Sequence, residues 1–366
     1  MMQLFMSFPL FIQAALIIIT LSLLGWVVTL INLLYNRWKG NREDQERRDT
    51  EPLFQELFLH HIFLPKTEEL QPNVLQEFKM KYLGRKRVRR RLVADMLHYQ
   101  QLFSGTIGSR MEQLYVSLEL HKDSLKYLKS RKPKKLLLAL NEFLNMHLLL
   151  TDIDLEGLQK HKHPLVREIA RRYILKMTPN DPFQIFTNLD EPLSKREQIE
   201  LFKVITEMEY RKLPNFAMWI QADRQPSLIS LCLKLAVYFQ QYDSIPVITR
   251  LLELEDAQIR KEAINALGKL HQDKAERTLV ALYDHEEEDV KIEILKALGR
   301  INSGHYLNLL KQACEQEESI ALRKHAAHSI YNHRERGQEV WDTLRSKEDP
   351  EIQTVLNHAA NKLIRY

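Results

Sequence analysis

Hydrophobic and polar positions divide this chain into two regimes. From Leu10 to Leu34 the sequence LFIQAALIIITLSLLGWVVTLINLL is apolar almost throughout, and the first charged side chain is Arg37. Beyond it, apolar residues recur at steps of three and four between short polar breaks, the pattern of amphipathic helices. At about 1.5 Å of rise per residue, the apolar run makes a helix able to cross a hydrocarbon layer of roughly 30 Å. The pattern predicts an N-terminal transmembrane anchor, 1–36, with its span at about 10–34.

The flanks of the run decide between an anchor and a cleaved signal. MMQLFMSFP carries no basic residue, and Tyr35, Asn36, Arg37, Trp38 and Lys39 offer no small-residue cleavage site. A retained anchor is the expectation. Arg37, Lys39, Arg42, Arg47 and Arg48 lie after the span and no cation lies before it, which expects the N-terminus outside and the C-terminal domain in the cytoplasm. Ala15, Ser22, Gly25 and Thr29 fall near one face of this helix, with no GxxxG, so a lone anchor is expected.

Residues 37–52 are charged without an apolar stripe and read as a linker or a polar extension of the anchor. LFQELFLHHIFL, from Leu53 to Leu64, is amphipathic and ends before Pro65, which suits docking on the first turn of the solenoid or lying along the membrane. A polar face with Glu56 and no Lys or Arg favours docking. Residues 53–132 form a basic helical N-terminal part. Within it, KMKYLGRKRVRRRL from Lys79 to Leu92 has Val88, Leu92, Met96, Tyr99 and Phe103 as a buried stripe. Lys86, Arg87, Arg89, Arg90 and Arg91 surround that stripe. Three readings compete for them: a solvated face, contact with an anionic lipid surface, or phosphate and nucleic-acid contact. No aromatic stacking platform accompanies the cluster, which disfavours nucleic acid.

From 133 to 366 the chain repeats itself with a period near 31. HPLVREIARRYIL, QPSLISLCLKLAVYF, DAQIRKEAINALGKL, EDVKIEILKALGRI, SIALRKHAAHSIYNH and DPEIQTVLNHAANKL align, with Pro164, Pro226, Ala257, Asp289, Ile320 and Pro350 at the turn. The segment from Ser194 fills the double step, and Pro133 extends the register backward. Each unit reads as two helices. Gly268 and Gly299 are expected to end their first helices, and Ala263, Ala266, Ala297, Ala326 and Ala359 to keep the stacking side small. The fold class expected is all-α: a right-handed α-solenoid of stacked helix pairs, preceded by one transmembrane helix.

These units resemble HEAT repeats, in particular the short phycobilisome-lyase-like variant, with the pattern Asp-x-x-Val-Arg-x-x-Ala-x-x-Ala-Leu-Gly-x-Leu. Asp256, Ile259, Arg260, Ala263, Ala266, Leu267, Gly268 and Leu270 meet it. Val166–Arg167 and Leu322–Arg323 match its Val-Arg pair, whereas Lys291 replaces the Arg, and Ser230 and Gln353 are read at the same slot. The resemblance covers roughly 163–366 well and 1–104 not at all. It implies a scaffold of bacterial type holding a protein partner on a curved surface, here at the cytoplasmic (inner) membrane. It also points toward membrane glycosyltransferase or polysaccharide-export systems, with a bilin lyase-like enzyme or a nucleic-acid-binding protein using 85–91 as alternatives.

Composition narrows the chemistry. The chain has 366 residues, 10 glycines, 13 prolines and only two cysteines, Cys232 and Cys314, each in an apolar helical pattern, which excludes a disulfide framework. The net charge of +5 is uneven: 35–135 holds 22 Lys and Arg against 13 Asp and Glu, and 136–366 holds 31 against 35. No GxGxxG, Walker A, HExxH, GxSxG or CxxC occurs. Among 14 histidines, His325 and His328 have metal-pair spacing but no third ligand beside them, and His161 and His163 point apart. No enzyme, cofactor or metal is expected. Trp219 with Arg224, and Trp341 with Arg345, are the residues read as candidate partner anchors.

Overall fold

The computed structural model describes residues 9–64, 72–103, 105–150, 153–178, 181–208, 213–361 and 363. Among the described residues every regular element is a helix and none is a strand. The chain divides into two compact units, Met1–Asp152 and Ile153–Tyr366.

The first unit opens with α1, Leu10–Phe58, a single helix of 49 residues that ends in a π turn at Leu59–Phe63. The charged stretch 37–52 is therefore helical and continuous with the apolar run, not a flexible linker. From Ile18 onward α1 is long and apolar enough to cross a membrane, and its most apolar stretch is not buried inside the protein. Trp26 is 72 % exposed and Leu24 66 %. The Thr29 hydroxyl donates to the Gly25 carbonyl at 2.7 Å, so this polar group is satisfied within the helix. A Cβ at Gly25 would meet nothing within 4 Å, so no neighbouring helix requires that glycine.

Past Pro52 the same helix changes role. Phe54, Leu57, Phe58 and Ile62 are buried with Leu75, Leu92, Met96, Met111 and Tyr115 in one core. The remaining helices of this unit are α2 (Pro72–Tyr82), α3 (Lys86–Leu102), α4 (Thr106–Ser117), α5 (His121–Leu128) and α6 (Pro133–Asn145). The expected stripe on α3 is buried at Val88, Leu92 and Met96, while Tyr99 is half-buried with its ring 5.3 Å from that of Phe58, edge to face. The boundary falls after 152 rather than at 132/133, because α6 packs on α5 and α3.

The second unit is an α-solenoid. Its helices are α7 (Leu155–Gln159), α8 (Pro164–Met177), α9 (Gln184–Thr187), α10 (Lys195–Thr206), α11 (Pro226–Tyr238), α12 (Ile245–Arg250), α13 (Ala257–Lys269), α14 (Glu276–Tyr283), α15 (Glu288–Ile301), α16 (Leu307–Gln316), α17 (Ile320–Asn332), α18 (Gln338–Arg345) and α19 (Pro350–Ala359). The repeat shows in the helix starts: Pro164, Lys195, Pro226, Ala257, Glu288, Ile320 and Pro350. One position shifts by a residue, since Glu288 rather than Asp289 opens α15. First helices stack on one another, α11 on α13, α13 on α15, α15 on α17 and α17 on α19. The second helices α14, α16 and α18 pack behind them.

Two glycines contradict their expected role. Gly268 lies inside α13 and Gly299 inside α15, short of the helix ends. A Cβ on Gly268 would sit 2.8 Å from the Ala297 Cα, and one on Gly299 would sit 2.9 Å from the Ser329 Cα. Both glycines exist because the next helix backbone passes too close for a methyl group. Left-handed backbone after the first helices is taken instead by Gln240, His271 and Asn302, at φ 51, 50 and 59°.

The Val-Arg slot, three residues after each helix start, has a structural purpose. The Arg167 Nη1 donates to the His161 carbonyl at 2.8 Å, and the Arg260 Nη1 to those of Leu254 and Glu255 at 2.7 and 2.8 Å. Arg323 reaches the Cys314 carbonyl at 2.9 Å. Gln198 and Gln353 do the same with their amides, to Leu193 at 3.3 Å and Lys347 at 2.8 Å. Carbonyls in the stretch leading into each first helix, several of them at a preceding helix end, lack an intrahelical partner, and this side chain supplies one. Burial aligns Leu228–Ile229 with Ile259–Arg260, so Ile229, not Ser230, fills the slot in α11. Arg89, three residues into α3, makes the same bracket to Leu83 and Gly84, at 2.8 and 3.1 Å. The repeat device thus extends into a region where the sequence shows no resemblance.

Candidate functional site

The basic cluster of α3 does not act as one surface. Its helix places Lys86 and Arg90 on one face and turns Arg89 and Arg91 elsewhere. Arg89 is spent on the carbonyl bracket and on Asp123, at 2.8 Å, and that bond holds the Asp123 carboxyl below its usual range. Arg91 lies 3.8 Å from Asp95 on its own helix. Arg87 is exposed, and Lys86 and Arg90 both lie over the ring of Tyr127.

The two tryptophans read as candidate anchors are packed within the solenoid. Trp219 is 4 % exposed, edge to face with Phe186 at 5.4 Å, and its indole N–H reaches the Thr187 hydroxyl at 3.4 Å. Arg224 closes the same corner by donating to the Thr187 carbonyl at 3.0 Å. Trp341 is 9 % exposed against Tyr331, while Arg345 is exposed at the end of α18. Both indoles cover core between helices, which leaves them little surface to offer.

A surface that the pattern reading missed lies across α10, α11 and α13. There a groove with a cavity volume of about 1060 Å³ is lined by Ile199, Phe202, Val237 and Tyr238, with Lys195, Lys234 and Lys269 among its cations. Ile199 is 69 % and Tyr238 56 % exposed, large apolar groups that no element of the solenoid covers. The signal was present in KREQIELFKVIT: Ile199 and Phe202 widen the apolar stripe of Leu201, Val204 and Ile205 beyond what one buried face needs.

The charges around the groove are unequal in what they have left to do. Asp256 accepts from the amides of Gln258 and Ile259, at 2.9 and 3.2 Å, and so caps its own helix. Glu293 accepts from Asn265 at 2.6 Å and Arg300 at 2.7 Å, with Lys296 at 3.1 Å. Lys261 pairs with Asp289 at 3.1 Å. Among the described residues no carboxylate lies within ion-pair distance of Lys195, Lys234 or Lys269. Burial first, then the nearby Arg300, Lys296 and Lys234, hold the Lys269 amine below its ordinary pKa.

Both cysteines are withdrawn from solvent. Cys232 is fully buried and its thiol pushed far up by burial, and Cys314 is pushed up to about 11 for the same reason. Neither is a nucleophile in this setting. His325 and His328 share a face of α17, and among the described residues no group of three or more His, Cys, Asp or Glu side chains could hold a metal ion.

A family-model match agrees with this architecture. Residues 217–290 match the family model described as HEAT repeats. Among curated proteins no match is found. Solved structures similar to the chain include an engineered protein, 14 % identical over 81 % of this chain and 86 % of that one, with a TM-score of 0.29. Another is the complex of CpcE and CpcF of phycocyanin lyase from Nostoc sp. PCC7120, 13 % identical over 80 % of this chain and 97 % of that one, also at 0.29.

Proposed function

We propose that this chain is a non-enzymatic scaffold, tethered to the cytoplasmic membrane by α1, whose HEAT-type solenoid holds a protein partner. The observation that carries the reading is the uncovered groove across α10, α11 and α13. Exposed apolar area rimmed by charge is the usual mark of a protein-docking surface. Lysines left without carboxylates favour a partner segment with an apolar face and acidic flanks. Tethering draws support from the unburied apolar length of α1 and from the cations beyond it at Arg37, Lys39, Arg42, Arg47 and Arg48. A partner in the same membrane, of the glycosyltransferase or polysaccharide-export class, is the first to seek.

The test is site-specific photocrosslinking of the full-length protein in native membranes. A crosslinker replacing Tyr238 should join one discrete membrane protein, whereas one replacing the exposed Thr343 on α18 should not. Adding Ile199→Glu and Lys234→Glu should abolish the product. Equal crosslinking from both positions, or a product indifferent to those substitutions, would overturn the reading.

A further inference from the structure

One concentration of charge stands apart from the groove and from the bracket, in the first unit. The ring of Tyr127 on α5 has three cations over it: the Arg90 guanidinium at 4.3 Å from the centroid, the Lys86 amine at 4.9 Å and the Lys135 amine at 5.2 Å. They come from two helices, α3 and α6, so that α5 supplies the platform between them. Only Lys86 and Arg90 belong to the basic run of the sequence. Lys135 is 45 residues further on and joins them through the fold alone.

Three like charges gathered at one ring repel each other, and a cation–π contact at an exposed site offsets only part of that repulsion. The protein balances them only in part, Asp123 acting on Lys86 and Glu142 on Arg90 without an ion pair to either. Of the nearest acids, Asp123 is already held by Arg89. Glu142 is buried, bonded by the hydroxyls of Tyr115 and Ser124, and pushed above the usual carboxylate range chiefly by that burial. Among the described residues neither Lys86, Arg90 nor Lys135 has a carboxylate within ion-pair distance, and the Arg90 Nε is buried without a hydrogen-bond partner. Lys86 and Lys135 are exposed, so an incoming anion reaches them freely.

We propose that Lys86, Arg90 and Lys135, arrayed around Tyr127, form a binding site for a phosphate monoester or diphosphate group. The ring fixes the cations in place beforehand, which lowers the ordering entropy that binding would otherwise cost. A compact group with two negative charges can answer all three at once, where a single carboxylate cannot. Two sources carry such a group: a lipid headgroup and a soluble phosphorylated compound. Arg85, beside Lys86, lies 3.9 Å from Glu46 of α1. That residue is roughly 18 Å along the helix from the end of the apolar run, so an upright α1 holds the cradle beyond the headgroup layer and a tilted one lowers it.

The test is calorimetric titration of inorganic pyrophosphate into the full-length protein in phosphatidylcholine nanodiscs. Saturable binding is expected, with the affinity falling about tenfold for each of Lys86→Ala, Arg90→Ala and Lys135→Ala. The exposed controls Arg87→Ala and Lys134→Ala should each change it less than about twofold. The melting temperature of every variant without ligand should stay near that of the parent, which separates lost binding from lost folding. Nanodiscs with roughly one phosphatidic acid in five lipids separate the sources. Weaker pyrophosphate binding there, through competition, assigns the site to a headgroup, and unchanged binding assigns it to a soluble ligand. The proposal is overturned if pyrophosphate gives no saturable signal, or if the control substitutions weaken binding as much as the three cradle substitutions.

Discussion

At the scale of single residues, several positions are decided by distance rather than by residue type. Gly268→Ala forces a methyl group to within 2.8 Å of the Ala297 backbone. Overpacking of this kind should destabilise the protein by about 1–3 kcal/mol in urea unfolding, while a Gly25→Ala change should be neutral. His325 offers a prediction in pH. Burial, then the charges of Lys296, His328 and Arg300, hold its pKa down to about 4, against a weaker opposite pull from Glu293. A depressed imidazole favours the neutral form, so its contribution to stability is complete above the unfolded value near 6.5 and is lost as pH falls toward 4. The thermal midpoint should therefore drop over that window, and His325→Gln should flatten the drop. A midpoint equally steep in the variant would show that another group is responsible.

At the scale of elements, the Val-Arg slot links one unit to the next. Arg260 donates to two loop carbonyls and also binds Glu286, with bonds of 2.6 Å from both Nε and Nη2. Its removal leaves carbonyls and a carboxylate without donors. Arg260→Ala should cost about 1.5–3 kcal/mol in unfolding measurements, and Arg89→Ala a comparable loss that Arg87→Ala does not share. A loss at Arg87 equal to that at Arg89 would mean that bulk positive charge, and not the bracket, stabilises α3. The terminal element α1 behaves as two pieces joined end to end. A chain starting at residue 37 retains Phe54, Leu57, Phe58 and Ile62 and should keep the first unit protected from proteolysis. A chain starting at residue 65 lacks all four buried side chains and should be cut readily within 72–150.

At the scale of the whole molecule, what the sequence determined by itself is the periodic part. Helix, repeat length and the apolar N-terminal run all follow from hydrophobic spacing, because burying one face of a helix imposes steps of three and four wherever the chain runs. The same logic makes a 31-residue unit visible, since each helix pair covers its neighbours and every unit meets the same constraint. Tertiary structure alone decided which residues on those faces are spoken for. Trp219 and Trp341 look like surface anchors in a list of residues, yet neighbouring helices cover them. Gly268 looks like a helix stop, yet α13 runs one residue past it and the passing Ala297 backbone is what requires the glycine. The five cations of α3 read as one run, yet Arg89 and Arg91 are internally paired. Lys86 and Arg90 join Lys135 only because α6 folds back beside Tyr127. Spacing along a chain records the partners within one helix; the partners across helices depend on packing, which no local pattern carries.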